Sequence, residues 1–200
     1  MPGGDADVID RLVGIGPGSH LHAIRLRRPE ARTHAQASYR ALFAPDNPGH
    51  VTPPERFATA TFVAGLHGAV EAHAFYAGEL AATGASPAMR EAVDKVIKDA
   101  RGKGPYGSFP KGPLSREDTA GPVYRVEPDT VSVLGPRLAA AFRHVHLLVF
   151  HPRDAEPAAL QSLLDAGWST TDIVTLSQIT AFLSFQIRVA AGLRTLARHS

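Results

Sequence analysis

Residues 67–76 read HGAVEAHAFY, two histidines, a glutamate and a tyrosine within one short stretch. Those side chains could ligate a metal, exchange protons with a substrate, or belong to an ordinary core. Two further histidine pairs, HLH at 20–22 and HVH at 144–146, are spaced two apart. On a helix such residues point about 200° apart and cannot share one ion. Neither H-x-x-x-H nor H-E-x-x-H occurs, so no metal site is expected. GIGPGS at 14–19 lacks the Gly-Lys-Ser/Thr ending of a phosphate loop and reads as a helix-breaking turn.

What the 67–76 cluster can do depends on the element that carries it. Thr52-Pro53-Pro54-Glu55 is a helix start: threonine caps, proline fits the first turn, and Glu55 completes a capping box. The pattern predicts one helix from there to about Leu80. Projected at about 100° per residue, Phe62, Leu66, Val70, Ala77 and Leu80 define its buried face. His67 and Glu71 then form an outward i,i+4 pair. His73 falls inside the apolar face, with Ala69, Ala72 and Tyr76 along its edge. The same projection over 138–150 sets His146 among Leu138, Phe142 and Val149 and turns His144 away. For His73 and His146 two readings stand: a core histidine with one bonded nitrogen, or a neutral base, since burial keeps an imidazole uncharged.

Helical patterns also cover DVIDRLVG, HLHAIRLRR behind a Ser19 cap, EARTHAQASYRALF, PAMREAVDKVIKDA, AALQSLLDA, and a last helix from about Thr170 to Ala197. LGPRLAAAFRHVHLLVF reads as a helix, although HVHLLVF alone would suit a strand. Ser169 and Asp172 form a second capping box in register with Thr52 and Glu55, which sets Phe62 and Leu66 opposite Ile179 and Leu183 and hints at a duplicated long helix. The last helix is apolar nearly all round, as expected of a central helix or a subunit interface. Arg188 within it is costly unless paired, with a structural ion pair favoured over an anion-binding role.

Residues 101–128 hold five glycines and five prolines and cannot form a regular helix or a central strand. Tyr106, Phe109, Tyr124 and Val126 give the segment apolar anchors. It is read as an ordered arm that covers a pocket or wraps a partner subunit, rather than as a mobile linker.

A chain of 200 residues with 44% hydrophobic and 20% charged residues suits one all-α domain with a substantial core. The net charge of +2 with no basic stripe argues against nucleic acid. Cysteine is absent, which excludes thiolate chemistry in this chain and fits a cytoplasmic protein. The acidic N-terminus shows no signal peptide, and no uninterrupted apolar run is long enough to span a membrane.

ERFATATFVAGLHGAVEAHAFYAGEL together with LLDAGWSTTDIVTLSQITAFLSFQIRVAAGLRTL resembles the carboxymuconolactone decarboxylase superfamily, most closely its AhpD-like, peroxidase-related branch. The similarity covers about 52–83 and 137–197 and leaves the N-terminal helices (1–51) and the arm outside it. It implies an AhpD-like helical bundle that assembles as a homo-oligomer. Redox members of that family carry C-x-x-C-x-x-x-H with a glutamate upstream. By register the cysteines fall at Ala69 and Ala72, the histidine at Tyr76 and the glutamate near Phe57, so every redox position differs. The resemblance therefore implies a peroxidase-related protein without its thiols and without a cofactor. Two functions follow as expectations. In one, a small organic molecule binds beside Ala69, Ala72, Arg188 and Tyr106, and His73, Tyr76 and His146 carry cofactor-free acid/base chemistry. In the other, the chain is a structural or regulatory subunit docked to a cysteine-bearing relative.

Overall fold

A computed structural model describes residues 7–199. Its helices are α1 (Val8–Val13), α2 (His20–Leu26), α3 (Pro29–Phe43), α4 (Pro53–Leu66), α5 (Val70–Ala82), α6 (Pro87–Ala100), α7 (Pro128–Phe150), α8 (Pro157–Asp165) and α9 (Thr170–Arg198). Among the described residues β structure is limited to an isolated bridge between Gly107 and Thr119. The fold is all-α, and HVHLLVF belongs to a helix.

The caps are local and follow from the side chains. Asp7 accepts from the amides of Ile9 and Asp10, Ser19 from His22, and Ser86 from Met89. Both capping boxes form, Thr52 with Glu55 and Ser169 with Asp172. Asp7 and Asp10 also close around the buried Arg25, and Arg32 reaches Asp10 at 2.9 Å, so α1, α2 and α3 are joined by ion pairs as well as by apolar contact.

α4 lies at the centre. Every residue from Arg56 to Leu66 is buried, and α5, α6, α7 and α9 pack around it. Small residues permit this crowding: a β-carbon on Gly65 would lie 2.5 Å from Ile97 of α6. Phe62 stacks on Phe142 of α7 at 4.5 Å between ring centres. Leu176, Ile179 and Leu183 of α9 are fully buried beside α4. Arg56 is buried too, and its guanidinium donates to the carbonyls of Leu42, Pro48 and Val51, closing the loop that precedes α4.

α4 and α9 are tied at both ends of their shared length. Arg137 of α7 donates to Glu55 at 2.8 Å and lies 3.6 Å from Asp172, so one guanidinium joins the two capping boxes. Its face also covers Trp168 at 3.7 Å. Farther along, His67 Nε2 meets Ser184 Oγ at 3.0 Å. The two helices therefore run side by side in the same direction. α9 is the one helix among the described residues long and apolar enough to cross a membrane, and 44% of that window is buried inside the protein.

The expected continuous helix from 52 to about 80 is two helices. Gly68 adopts φ +62°, its amide donates to Gly65, and the amide of Ala69 donates to Ala64. This pair of bonds around a left-handed glycine ends α4. α7 is likewise broken, at Gly135, where φ is 80° and ψ 154° ahead of Pro136.

Candidate functional site

The break at Gly68 resets the helical phase, so the predicted cluster disperses. His67 and Glu71 do not pair: His67 turns to Ser184, and Glu71 lies 3.3 Å from Arg194. Val70 is exposed rather than buried. His73 is on the outer side of α5 and only half-buried, with Nε2 3.3 Å from Asp94 of α6, so it is not in the apolar core. Tyr76 is fully buried; its ring lies 5.4 Å from Phe43 and its hydroxyl donates to Gln186 at 2.6 Å. That space is filled core, and neither Ala69, Ala72 nor Tyr76 lines either of the two cavities described below. Arg188 is exposed, with Nη1 donating to the Ser184 carbonyl at 2.8 Å, so its charge is not buried as α9's composition suggested.

Histidines do converge elsewhere, beneath the arm. A cavity of about 380 Å³ opens between α7, α8 and the end of the arm. His144, His146 and Leu147 of α7 form its wall, Val123 and Tyr124 its arm side, and Arg143, His151, Asp154 and Glu156 its rim. His146 is buried, stacked on Tyr124 at 4.8 Å and edge-on to Phe150 at 5.0 Å. Burial, then the charge of nearby His151, push its pKa down to about 4, partly opposed by a hydrogen bond to Ala100. It is neutral at pH 7.

His144 is buried as well, contrary to the projection, because α9 packs against the face of α7 that carries it. Its Nε2 lies 3.0 Å from Ser177 Oγ, whose proton goes to the Ile173 carbonyl. His144 must therefore donate through Nε2, which leaves Nδ1 a lone-pair acceptor, and that atom has no partner. Burial lowers its pKa also.

His151 differs in character. Its Nδ1 faces Asp154 at 2.9 Å and its Nε2 faces the Pro122 carbonyl at 3.0 Å. Both partners are oxygen acceptors, so the ring is held on two sides. The hydrogen bond from His151 holds the Asp154 carboxyl below its usual range, with help from the Ser108 amide. The ring of His151 is 5.8 Å from that of His146. One cavity thus sets two buried imidazoles, His144 and His146, beside the hydrogen-bonded His151–Asp154 pair.

The same pair fastens the arm. Asp154 holds the Ser108 amide at 3.3 Å and His151 holds Pro122. The Tyr106 amide bonds to the Phe150 carbonyl, and its ring packs on His151 at 5.1 Å. Tyr106 is therefore a fastener of the arm and lines neither cavity. The arm is ordered against its own chain.

The second cavity, about 780 Å³, lies between α9, the end of α7, His67 and the start of the arm. Arg188 and Lys103 line it, with Ser177, Thr180 and Ser184 on the α9 side. Of the predicted site residues, His146 is at the first cavity, Arg188 at the second, and His73 and Tyr76 at neither. Sequence reasoning missed His151 and Asp154 altogether. The signal available was HPRD directly after a helix, a stop in which histidine and aspartate sit three apart. Among the described residues no group of three or more His, Cys, Asp or Glu is arranged to hold a metal ion.

The chain shares the fold of a peroxidase-related protein. That protein is an uncharacterized peroxidase-related protein from Silicibacter sp. TM1040, whose crystal structure matches with a TM-score of 0.61 at 16% identity, over 92% of this chain and 78% of that one. At such identity the likeness concerns fold alone. No family model and no curated protein sequence matches the chain.

Proposed function

We propose that this chain is a thiol-free relative of the AhpD-like, peroxidase-related proteins of the carboxymuconolactone decarboxylase superfamily, and that it binds a small organic molecule in the histidine cavity beneath the arm. The observation that carries the reading is His146, neutral and buried, beside the hydrogen-bonded pair of His151 and Asp154. Apolar walls with a few convergent polar groups are what a small-molecule site needs. If the bound molecule reacts, His146 is the base and no cofactor takes part; decarboxylation, isomerisation and lactone chemistry fit that pattern. Disulfide-based peroxide reduction does not, because the chain has no cysteine.

The test is a thermal-shift screen of small organic acids, ketones and lactones against the native chain and His146→Gln. Ligands that stabilise the native chain and lose their effect in the variant support the reading. A screen in which no stabilising ligand loses its effect in the variant would sink it.

A second reading has its own observation. Val174, Phe185 and Leu196 are exposed, and their spacing of eleven residues aligns them along α9. Such a stripe suits a homo-oligomer interface or a dock for a cysteine-bearing relative. Native mass spectrometry of the chain alone and mixed with that relative separates these outcomes, and a monomer in both would remove the reading.

A further inference from the structure

We propose that the larger cavity between α9, the end of α7 and His67 is a second ligand site, and that it takes a small organic anion: a carboxylate on an apolar body.

Charge is the first argument. Lys103 and Arg188 line the cavity, and no lining residue is acidic. Several of the chain's other cations are held by carboxylates: Arg25 by Asp7 and Asp10, Arg137 by Glu55 and Asp172, Arg194 by Glu71. Among the described residues no carboxylate lies within 4.0 Å of Lys103 or Arg188. Two cations facing one concavity without a counter-charge raise the local potential for an anion.

Position is the second. The Arg188 guanidinium is already anchored, with Nη1 on the Ser184 carbonyl, and the same serine holds His67 through its hydroxyl. One residue of α9 therefore orders both the cation and the imidazole, and less freedom is lost when a ligand arrives. His67 carries no charge of its own at neutral pH: burial lowers its pKa, and the charge of Arg188 lowers it further.

Polarity along the cavity is the third. At one end the hydroxyls of Ser177 and Thr180 have given their protons to the Ile173 and Leu176 carbonyls. They offer only lone pairs and do not attract a carboxylate. The anion therefore belongs at the Arg188 end, and the apolar body lies along Leu148, Val149 and Pro105. About 780 Å³ is far more than a bare inorganic ion fills. The site is separate from the histidine cavity and does not depend on the reading given above.

The experiment follows the His67 ring resonances by proton NMR during titration with hexanoate, hexanamide and inorganic phosphate. Hexanoate is expected to shift His67 saturably and to raise the pH at which it titrates, because an anion offsets Arg188. Arg188→Gln should weaken hexanoate at least tenfold and Lys103→Gln several-fold, with circular dichroism confirming that each variant is folded. His146→Gln should leave hexanoate binding unchanged. Hexanamide binding as tightly as hexanoate overturns the anion assignment, and phosphate binding as tightly overturns the apolar one. Binding lost in His146→Gln but kept in Arg188→Gln moves the ligand to the histidine cavity and overturns this proposal while supporting the other.

Discussion

The Tyr76 hydroxyl donates to Gln186 Oε1 at 2.6 Å, with both side chains fully buried between α5 and α9. Burial raises the phenol's pKa well above its ordinary value, so it stays a donor at any ordinary pH. Gln186 Nε2 has no partner, and the amide therefore depends on this one bond. Tyr76→Phe removes the donor and leaves Oε1 unpaired as well, a loss of about 1–3 kcal/mol. Adding Gln186→Leu removes the stranded amide, so the double variant should be more stable than the sum of the two single effects. Urea unfolding of the four proteins measures this, and strict additivity would contradict it.

Gly68 gives a second expectation. At φ +62° a β-carbon would meet no atom within 4 Å, so the cost of Gly68→Ala is backbone strain alone. It should destabilise by about 1 kcal/mol, while Gly78→Ala, inside α5 and equally open, should be neutral or slightly stabilising. Thermal unfolding of the two variants compares them, and equal midpoints would remove the role given to Gly68.

Acid should weaken the fold. His146 titrates at about 4 when folded, below the roughly 6.5 of an unfolded histidine. The unfolded chain therefore binds more protons between those values. Stability from this group is complete above about pH 6.5 and falls as pH drops towards 4. His67 and His144 shift in the same direction, and Asp154 and Asp172, also lowered, give up their contributions at lower pH still. His146 should account for a loss on the order of 2 kcal/mol between pH 7 and 4.5. Urea midpoints at the two values check it; His146→Phe, which keeps the stack on Tyr124, should flatten the dependence, and an unchanged slope would refute the assignment.

The arm should loosen when its fastener is cut. His151→Ala removes the holds on Pro122 and Asp154 together, whereas Asp154→Asn leaves an oxygen for Ser108. Trypsin cleavage after the exposed Lys111 and Arg116 should speed up several-fold in the first variant and less in the second. Equal rates in all three proteins would mean that the arm is held by its aromatic contacts alone.

The parts of this fold that were legible in the sequence are those written in a few neighbouring residues. Thr52 with Glu55 and Ser169 with Asp172 marked true helix starts, because a capping box is a local geometry. The matching boxes hinted only at a duplicated helix; that α4 and α9 lie side by side in register depends on Arg137 and Ser184, which are distant in sequence from α4. His73 was placed wrongly because the projection carried its phase across Gly68, and a helical wheel holds only within an unbroken helix. His144 was placed wrongly because α7 is buried on two sides, and a single apolar stripe cannot announce the second. Burial of His146 was readable from its neighbours at 138, 142 and 149. Its neighbours across the cavity were not, since Pro122 meets His151 only after the arm turns back from residue 107 to 119.

The Arg137 clasp makes α4 and α9 a pair of equal rulers. Glu55 and Asp172 are held at one mark, and twelve residues beyond each stand His67 and Ser184, which meet. Twelve residues of helix rise about 18 Å, so the contact depends on both rulers keeping the same count. One residue inserted into either helix would move the far mark by about 1.5 Å and turn it by about 100°. The imidazole and the serine would then face different ways although the clasp itself was untouched. Length, and not only residue type, is what this helix pair must preserve.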